Sequence, residues 1–553
     1  MKKIIKVLFL YFFFVLNQGY AQSWQWAVSA GGINRDVGGF SCIDALGNIY
    51  LTGNVDSNIV FFQTDTLQVS GINDIFIAKY DISGNEIWVK SFGGNYNNQF
   101  QQKYEGVSKP VMDPTSNYFY ITGSFVGSCS FGTTNLFSQG GISDKEIFVA
   151  KFDLNGNCIW AKSAGSSGDD ESYGLAVRSN GEIYISGTLK GNGVFDSISI
   201  FNGGFLAKFD SAGNCIFSKI ICNGINLFSG ASGVPWVINN FNNSIFLVIG
   251  KVSDTLILDT SSIVIPSNNS FILAKFDLNG NIQSYKVCGG PNPEFGELSI
   301  DNNGNCYFVS RFFGGEAIFE NDTIHAFGNT DFFLAKYDFN LNFQWVRQSH
   351  ASINARAIGC SSDLNGNVYI SGSFSGSALF GTYGITSNTS EDLFVARYDK
   401  NGNCLGVRHQ GQGLAYGVQT ISDGSCIVTG SYVGNVTFGS LSTLINHGDK
   451  DIFIAKSDAI TGLGGQNRVV QNQLIIYANP NKGTFNIKVP DEIKSFKQAW
   501  LFVYDVSGKE IARFNLDNES DTPHFDISNS NPGSYSVKLV QGEKMYSGQM
   551  IVE

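Results

Sequence analysis

DIFIAKYD, from Asp74 to Asp81, decides how the chain is to be read, because it returns. It comes back as EIFVAKFD ending at Asp153, FLAKFD at Asp210, FILAKFD at Asp277, FFLAKYD at Asp338, LFVARYD at Asp399 and IFIAKSD at Asp458, which makes seven copies. The basic residue of each copy (Lys79, Lys151, Lys208, Lys275, Lys336, Arg397, Lys456) follows the one before by 72, 57, 67, 61, 61 and 59 residues. A period of that size is near that of a β-propeller blade.

Working outward, each repeat holds four strand-like runs, here called A to D. In the third they are YGLAVRS from Tyr173, EIYISGTL from Glu182, FLAKFD from Phe205 and CIFSKI from Cys215. Tight turns join A to B (DALGN from Asp44, Ser179-Asn180-Gly181, DLNGN from Asp363) and C to D (DISGN from Asp81, DLNGN from Asp153 and Asp277, DKNGN from Asp399). Asp accepts hydrogen bonds from the turn backbone and Gly supplies φ > 0, so these are hairpin turns. SWQWAVSAGG from Ser23 matches strand D (compare IWAKSAG from Ile159), while the last repeat stops after strand C. The array is permuted by one strand. Pairing the N-terminal strand with the last repeat would satisfy both orphan edges, predicting a seven-bladed β-propeller over residues 22–460. Parity then puts the A–B and C–D turns on one face. The longer connections (56–73, 127–145, 376–391) and the inter-repeat segments from Gly93 and Gly165 fall on the other, where binding residues are expected.

The bulk numbers agree. A chain of 553 residues exceeds one ordinary domain, and 64 Gly with 14% aromatics and no long 3.6-period apolar stretch indicate an all-β class. Thirty-six basic against 47 acidic residues, net −11, with no basic cluster after the first residues, excludes the electrostatic footprint of a nucleic-acid binder. Lys2, Lys3 and Lys6, an apolar run from Val7 to Leu16, and Gly19 and Ala21 read as a signal peptide over residues 1–21. No transmembrane segment is expected afterwards. Cys306 and Cys426 stand where sister repeats have Ile49, Ile183 or Val368, so the ten cysteines read chiefly as small buried side chains, with one or two bridges left open.

After Asp458 the repeat ends. Residues 461–472 are polar and Gly-rich, a linker, and a new pattern of short strands occupies 473–553, suited to a small Ig-like β-sandwich. Asn479-Pro480-Asn481 with Gly483 and Phe485, the turn from Tyr504 through Asp505 to Gly508, and Gly533 with Tyr535 and Val537 resemble the type A C-terminal sorting domain of the type IX secretion system of Bacteroidetes. One departure is Gln549, where many members carry a basic residue. The repeats resemble the bacterial β-propeller repeat family known as SBBP. The resemblance implies export through the periplasm, recognition by the type IX translocon and sorting machinery, and removal of the terminal domain with release or attachment at the cell surface.

Catalytic, metal and cofactor constellations are not legible. The Asp-x-Asn-Gly-Asn loops are too short for an EF-hand and lack its terminal Glu, no HExxH or HxH spacing links the five histidines, and no GxSxG elbow fits. Asp169 and Asp170, with Glu171, form the one dense acid group, read as a solvated loop rather than acid/base machinery. Tyr96, Phe100, Tyr104, Phe228 and Phe295 could stack on sugars or fill gaps between blades. The Lys of strand C reads as a local ion pair with Asp81 and its equivalents, or as lining between blades. The function expected is an exported interaction or adhesion module with a glycan or protein ligand, no cofactor and no catalysis. The alternative is a secreted polysaccharide-active hydrolase or lyase on the same scaffold.

Overall fold

The computed structural model describes residues 23–56, 58–69, 74–94, 106–141, 144–223, 235–252, 255–258, 261–264, 270–289, 294–460, 472–477, 479–489, 493, 499–506, 508–516, 524–541 and 544–553. The expected signal peptide, and all of the expected linker but Asn472, lie outside them. Among the described residues regular structure is β throughout, with no helix.

Every copy of the repeated motif forms the third strand of an antiparallel meander. In the first repeat the order is Asp36–Ile43, Ile49–Val55, Asp74–Tyr80 and Glu86–Phe92, and in the fourth Pro235–Phe241, Ser244–Val252, Ser270–Asp277 and Ile282–Cys288. The motif strand lies between two partners and is covered on both faces, so all seven residues of Asp74–Tyr80 are buried. Its continuous apolar run, where an exposed strand would alternate, is the consequence. Among the described residues none of the sheets closes on itself.

The turns behave as Asp-x-Asn-Gly-Asn chemistry dictates. Oδ1 of Asp81 accepts the backbone N–H of Ser83 at 2.8 Å and of Asn85 at 2.9 Å, and Oδ2 accepts Asn85 Nδ2 at 2.8 Å. Asp153, Asp277 and Asp399 repeat this set. Gly84 follows at φ 86°, where a side chain would meet the indole of Trp26. Both oxygens of each aspartate are therefore committed to the turn itself. At Asp210 the donors of Asn214 hold the carboxyl below its usual range.

In four copies the motif's basic residue fastens neighbouring meanders rather than pairing with the aspartate two positions on, whereas Lys208 pairs with Glu182 of its own repeat at 2.7 Å. Lys79 Nζ lies over the Tyr50 ring, 5.0 Å from its centroid, and donates to Leu154 O of the next meander at 3.1 Å. Lys275 reaches Phe339 O at 3.1 Å, Lys336 reaches Lys400 O at 2.9 Å and Arg397 reaches Ile460 O at 3.3 Å. Tyr184, Tyr307 and Tyr369 donate to Leu278, Gly366 and Gly424 carbonyls in the same manner. The inter-repeat reading of this cation is observed at Lys79, Lys275, Lys336 and Arg397, and a local ion pair, with Glu182 rather than Asp210, at Lys208.

The N-terminal strand Trp24–Ala30 pairs antiparallel with the last motif strand Asp451–Ser457, with Val28 opposite Ile454 and Ala30 opposite Ile452. Asp458 accepts from Ser23 N at 3.1 Å, Ser23 Oγ at 2.7 Å and Gln25 Nε2 at 2.6 Å, and Arg408 donates to Ser23 O at 2.6 Å. Ile49, Leu51, Phe76 and Ala78 of the first repeat share a core with Ile427, Ile452 and Ile454 of the last.

The B–C connections depart from expectation. Instead of divergent loops they form two-stranded hairpins, such as Ile59–Phe61 with Thr66–Gln68 and Ser377–Phe380 with Tyr383–Thr386. Several of them turn at a left-handed residue following a phenylalanine: Gly132 at φ 67°, Asp196 at 52°, Glu320 at 52° and Gly381 at 59°. The hairpin of one repeat bridges the end of strand D of the repeat before it, through Gly93–Ser130, Gly165–Val194 and Gly289–Ile318. Gly31–Phe61 is the same bridge, so the N-terminal strand occupies the place of a strand D. These hairpins cover edges that would otherwise be open to pairing with another chain.

Residues 472–553 form a five-stranded and a three-stranded sheet around a core that includes Phe485, Leu501, Val503, Phe525, Val537 and Leu539. This unit rests on the fifth and sixth meanders. Lys538 Nζ donates to Gly381 O at 2.6 Å, Lys509 pairs with Asp322 at 2.9 Å, and Phe502 packs on Phe327 and His350.

Asp458→Ala is expected to lower unfolding stability by about 1 kcal/mol, read as a shift of the urea midpoint. Deleting residues 23–30 should bare the edge of Asp451–Ser457 and give concentration-dependent aggregation in size-exclusion chromatography.

Candidate functional site

The innermost strands of the successive meanders face a common cavity of ≈ 1030 Å³. Phe40 lines it from the first repeat, Lys109 from the second, Tyr173 from the third, Ile238 from the fourth, Glu297 from the fifth, Arg356 from the sixth and Tyr416 from the strand ending at Thr420. Hydrogen bonds between neighbouring repeats hold the wall: Thr52 Oγ1 to Ser108 O at 3.2 Å, Asn240 Nδ2 to Val177 O at 3.0 Å, Ser299 Oγ to Ser362 Oγ at 2.9 Å and Thr429 Oγ1 to Gly39 O at 2.8 Å. The last joins the two ends of the array.

The mouth of the cavity nearest the long connections is charged. Lys145 pairs with Glu171, which also accepts from the Tyr173 hydroxyl. Arg356 donates to Ser373 Oγ at 2.8 Å and pairs with Glu391 at 2.8 Å. Away from that mouth, between Gly106–Val107 and Val111–Met112, Lys109 pairs with Glu297, three repeats further along the chain. Sequence reasoning missed these cations because none belongs to a basic cluster in its own segment, and only the convergence of the strands groups them.

The acid group singled out from sequence has a different role. Asp170 is fully buried, and its carboxylate accepts from Ser166 N, from Ser166 Oγ at 3.0 Å and from Lys190 N at 2.8 Å. The expectation of a solvated loop is therefore corrected for Asp170, which pins the inter-repeat connection. Asp169 accepts from Lys145 N at 3.2 Å and lies 3.8 Å from Lys190 Nζ. Asp331, Asp392 and Asp451, at the start of motif strands, are also buried and hold Ala351 N at 2.9 Å, Asn388 N at 3.0 Å and His447 N at 2.9 Å, the last two within their own B–C connections. Tyr96, Phe100, Tyr104 and Phe228 lie outside the described residues. Phe295 falls in the strand Glu294–Ile300, with its side chain outside the described part.

Burial pushes the carboxyl of Asp170 up to about 6 and that of Glu146 up to about 7, with the charge of Asp170 adding to the latter. Gly165 passes between them; a Cβ there would lie 2.7 Å from Asp170 Oδ2 and 2.9 Å from Glu146 Oε1. All ten cysteines are free thiols, and burial raises those of Cys158 and Cys215 to about 11 and 12. Among the described residues no group of three His, Cys, Asp or Glu side chains could hold a metal ion.

In the terminal unit the motif residues fix turns and strand pairings. Asn479 accepts from Ile551 N at 2.8 Å and donates to Gln549 O at 2.9 Å, ahead of a cis bond to Pro480. Gly483 has φ 91°, and a Cβ on it would lie 2.4 Å from Ser528 Cα. Asp505 accepts from Gly508 N at 3.0 Å and from Lys509 N at 3.0 Å. Gly533 pairs with Val552 and Tyr535 with Met550, and the Tyr535 hydroxyl donates to Asn531 O. Residues 475–553 match the secretion system C-terminal sorting domain. The sorting domain marks the chain as exported by the type IX system to the cell surface or extracellular space.

Elsewhere the likenesses are remote. An uncharacterized WD repeat-containing protein of Acanthamoeba polyphaga mimivirus is 27% identical over 26% of this chain and 11% of its own length. The regulatory protein FlaEY of Caulobacter vibrioides is 28% identical over 34% of this chain and 21% of its own. The chain thus spans about a tenth and about a fifth of these relatives. Among solved structures the Dos1 propeller covers 81% of this chain and 96% of its own at 12% identity and a TM-score of 0.42.

A group whose folded pKa is raised contributes stability that is lost as pH rises through that value. Urea stability is therefore expected to fall between about pH 4 and 7, and Glu146→Gln should flatten the upper part of that fall.

Proposed function

We propose that the chain is an exported interaction module: a seven-bladed propeller over residues 22–460, closed by its N-terminal strand, delivered by a sandwich-like sorting domain over 473–553. The observation that carries this reading is the pairing of Trp24–Ala30 with Asp451–Ser457, with the Gly31–Phe61 bridge beside it, which gives the seventh motif strand the partner every other copy has. The repeats belong on this reading to the SBBP type, and the sorting domain to the type A class of Bacteroidetes. The module binds a glycan or protein at the long-connection face, where the cavity opens, and the short Asp-turn face serves to hold the repeats together.

Binding is favoured over polysaccharide cleavage by the state of the acids. Glu171 and Glu297, which line the cavity, are each engaged by a lysine, and the buried carboxylates of Asp170 and Asp331 are taken up by backbone donors. Glycan-array and pull-down screens with the secreted protein test the reading; release of shortened saccharides would overturn it in favour of an enzyme.

Deleting residues 473–553 should strand the protein in the periplasm with its repeats folded, read by cell fractionation and protease resistance. Delivery of the truncated chain to the surface or medium would count against the sorting role.

A further inference from the structure

The cavity inverts the charge of the chain. Acidic residues outnumber basic ones by 47 to 36 in the sequence, yet the cavity is lined by Arg35, Lys109, Lys145, Arg311 and Arg356 against Glu171 and Glu297. Four of these cations stand where strands meet the long connections. Arg35 precedes Asp36–Ile43, Lys145 opens Lys145–Asp153, Arg311 lies near the end of Cys306–Phe313, and Arg356 near the start of Asn354–Ser362. Low-dielectric walls that carry an excess of one sign of charge concentrate ions of the other sign.

Lys109 is placed differently. It reaches across to Glu297, 188 residues away, and the two partners are not held alike. The Glu297 side chain is 6% exposed and its second oxygen accepts Cys360 N at 2.7 Å, so the acid is fixed to the wall. The Lys109 side chain is 32% exposed, on a flexible stem. An incoming anion can therefore take the ammonium and leave the carboxylate behind with its backbone donor.

We infer that the cavity takes an anionic carbohydrate chain, sulfated or carboxylated, and that Lys109 is the cation for which this ligand competes with Glu297. The inference rests on the interaction-module reading and names its ligand class. Arginine and lysine suit oxyanion groups, while Tyr173 and Tyr416 give the same wall apolar faces for sugar rings. At ≈ 1030 Å³ the space is suited to several sugar units and far exceeds a single inorganic ion.

The test is calorimetric titration of the full-length secreted protein with a heparin oligosaccharide, a polygalacturonate oligosaccharide, dextran of matching length and inorganic sulfate. At least one charged oligosaccharide should bind, more weakly as salt rises, with dextran silent and sulfate far weaker. Lys109→Met should weaken binding about tenfold or more. Glu297→Gln should tighten it, because the lysine is released. A purely structural pair would make both variants bind worse, and a misfolded protein cannot bind better, so Glu297→Gln decides even where Lys109→Met fails to fold. Equal binding of dextran, equal binding of free sulfate, or loss of affinity in both variants would overturn the inference. Capture of a neutral glycan or a protein unaffected by Lys109→Met would also overturn it, while leaving the interaction reading intact. Charged oligosaccharide bound through Lys109 and then shortened would overturn the interaction reading and leave the site.

Discussion

The backbone pairing between Trp24–Ala30 and Asp451–Ser457 is the constraint on which the other arrangements lean. It joins segments more than 400 residues apart, so nothing local drives it. Loop-closure entropy grows only slowly with separation, whereas an unpaired edge beside a fully buried strand leaves a row of donors and acceptors open to another chain. Once the pairing is made, Thr429 reaches Gly39, Trp26 reaches Ile82 O at 3.1 Å, and the first and last repeats share one core.

Between those ends one device recurs. Lys79, Lys336 and Arg397 each cross a tyrosine ring and end on a carbonyl beyond their own repeat, for the two lysines in the next repeat's Asp turn. The turn offers that carbonyl because its aspartate already satisfies the turn's own N–H groups. The Asp-x-Asn-Gly-Asn loop is thus both the end of one hairpin and the socket for its neighbour. This double use explains why the short-turn face is regular and why variation collects on the other.

On that other face buried carboxylates take the place of turn aspartates. Asp170, Asp331, Asp392 and Asp451 each gather backbone N–H groups from the connection that precedes a strand, and Gly31, Gly93 and Gly165 are glycines because a carboxyl group occupies the space a Cβ would need. Acids used in this way are withdrawn from the cavity. What remains exposed there is mainly cationic, and an acidic chain acquires a basic interior surface.

The sequence by itself determined the class, the repeat and its four runs, the turn chemistry, and the sorting motif, because each rests on neighbours within a few residues. It also implied a partner for Trp24–Ala30, since the permuted array left one strand unmatched at each end. Tertiary structure decided the rest. The B–C hairpins were signalled by phenylalanine followed by Gly132, Asp196, Glu320 or Gly381, but their role in covering the preceding strand D depends on contact between repeats. Asp170 reads as a surface loop residue until the fold buries it. Lys109, Arg311 and Arg356 carry no signal in their own segments, and they form a site because strands distant in sequence converge on one cavity, where electrostatic proximity is a property of the fold alone.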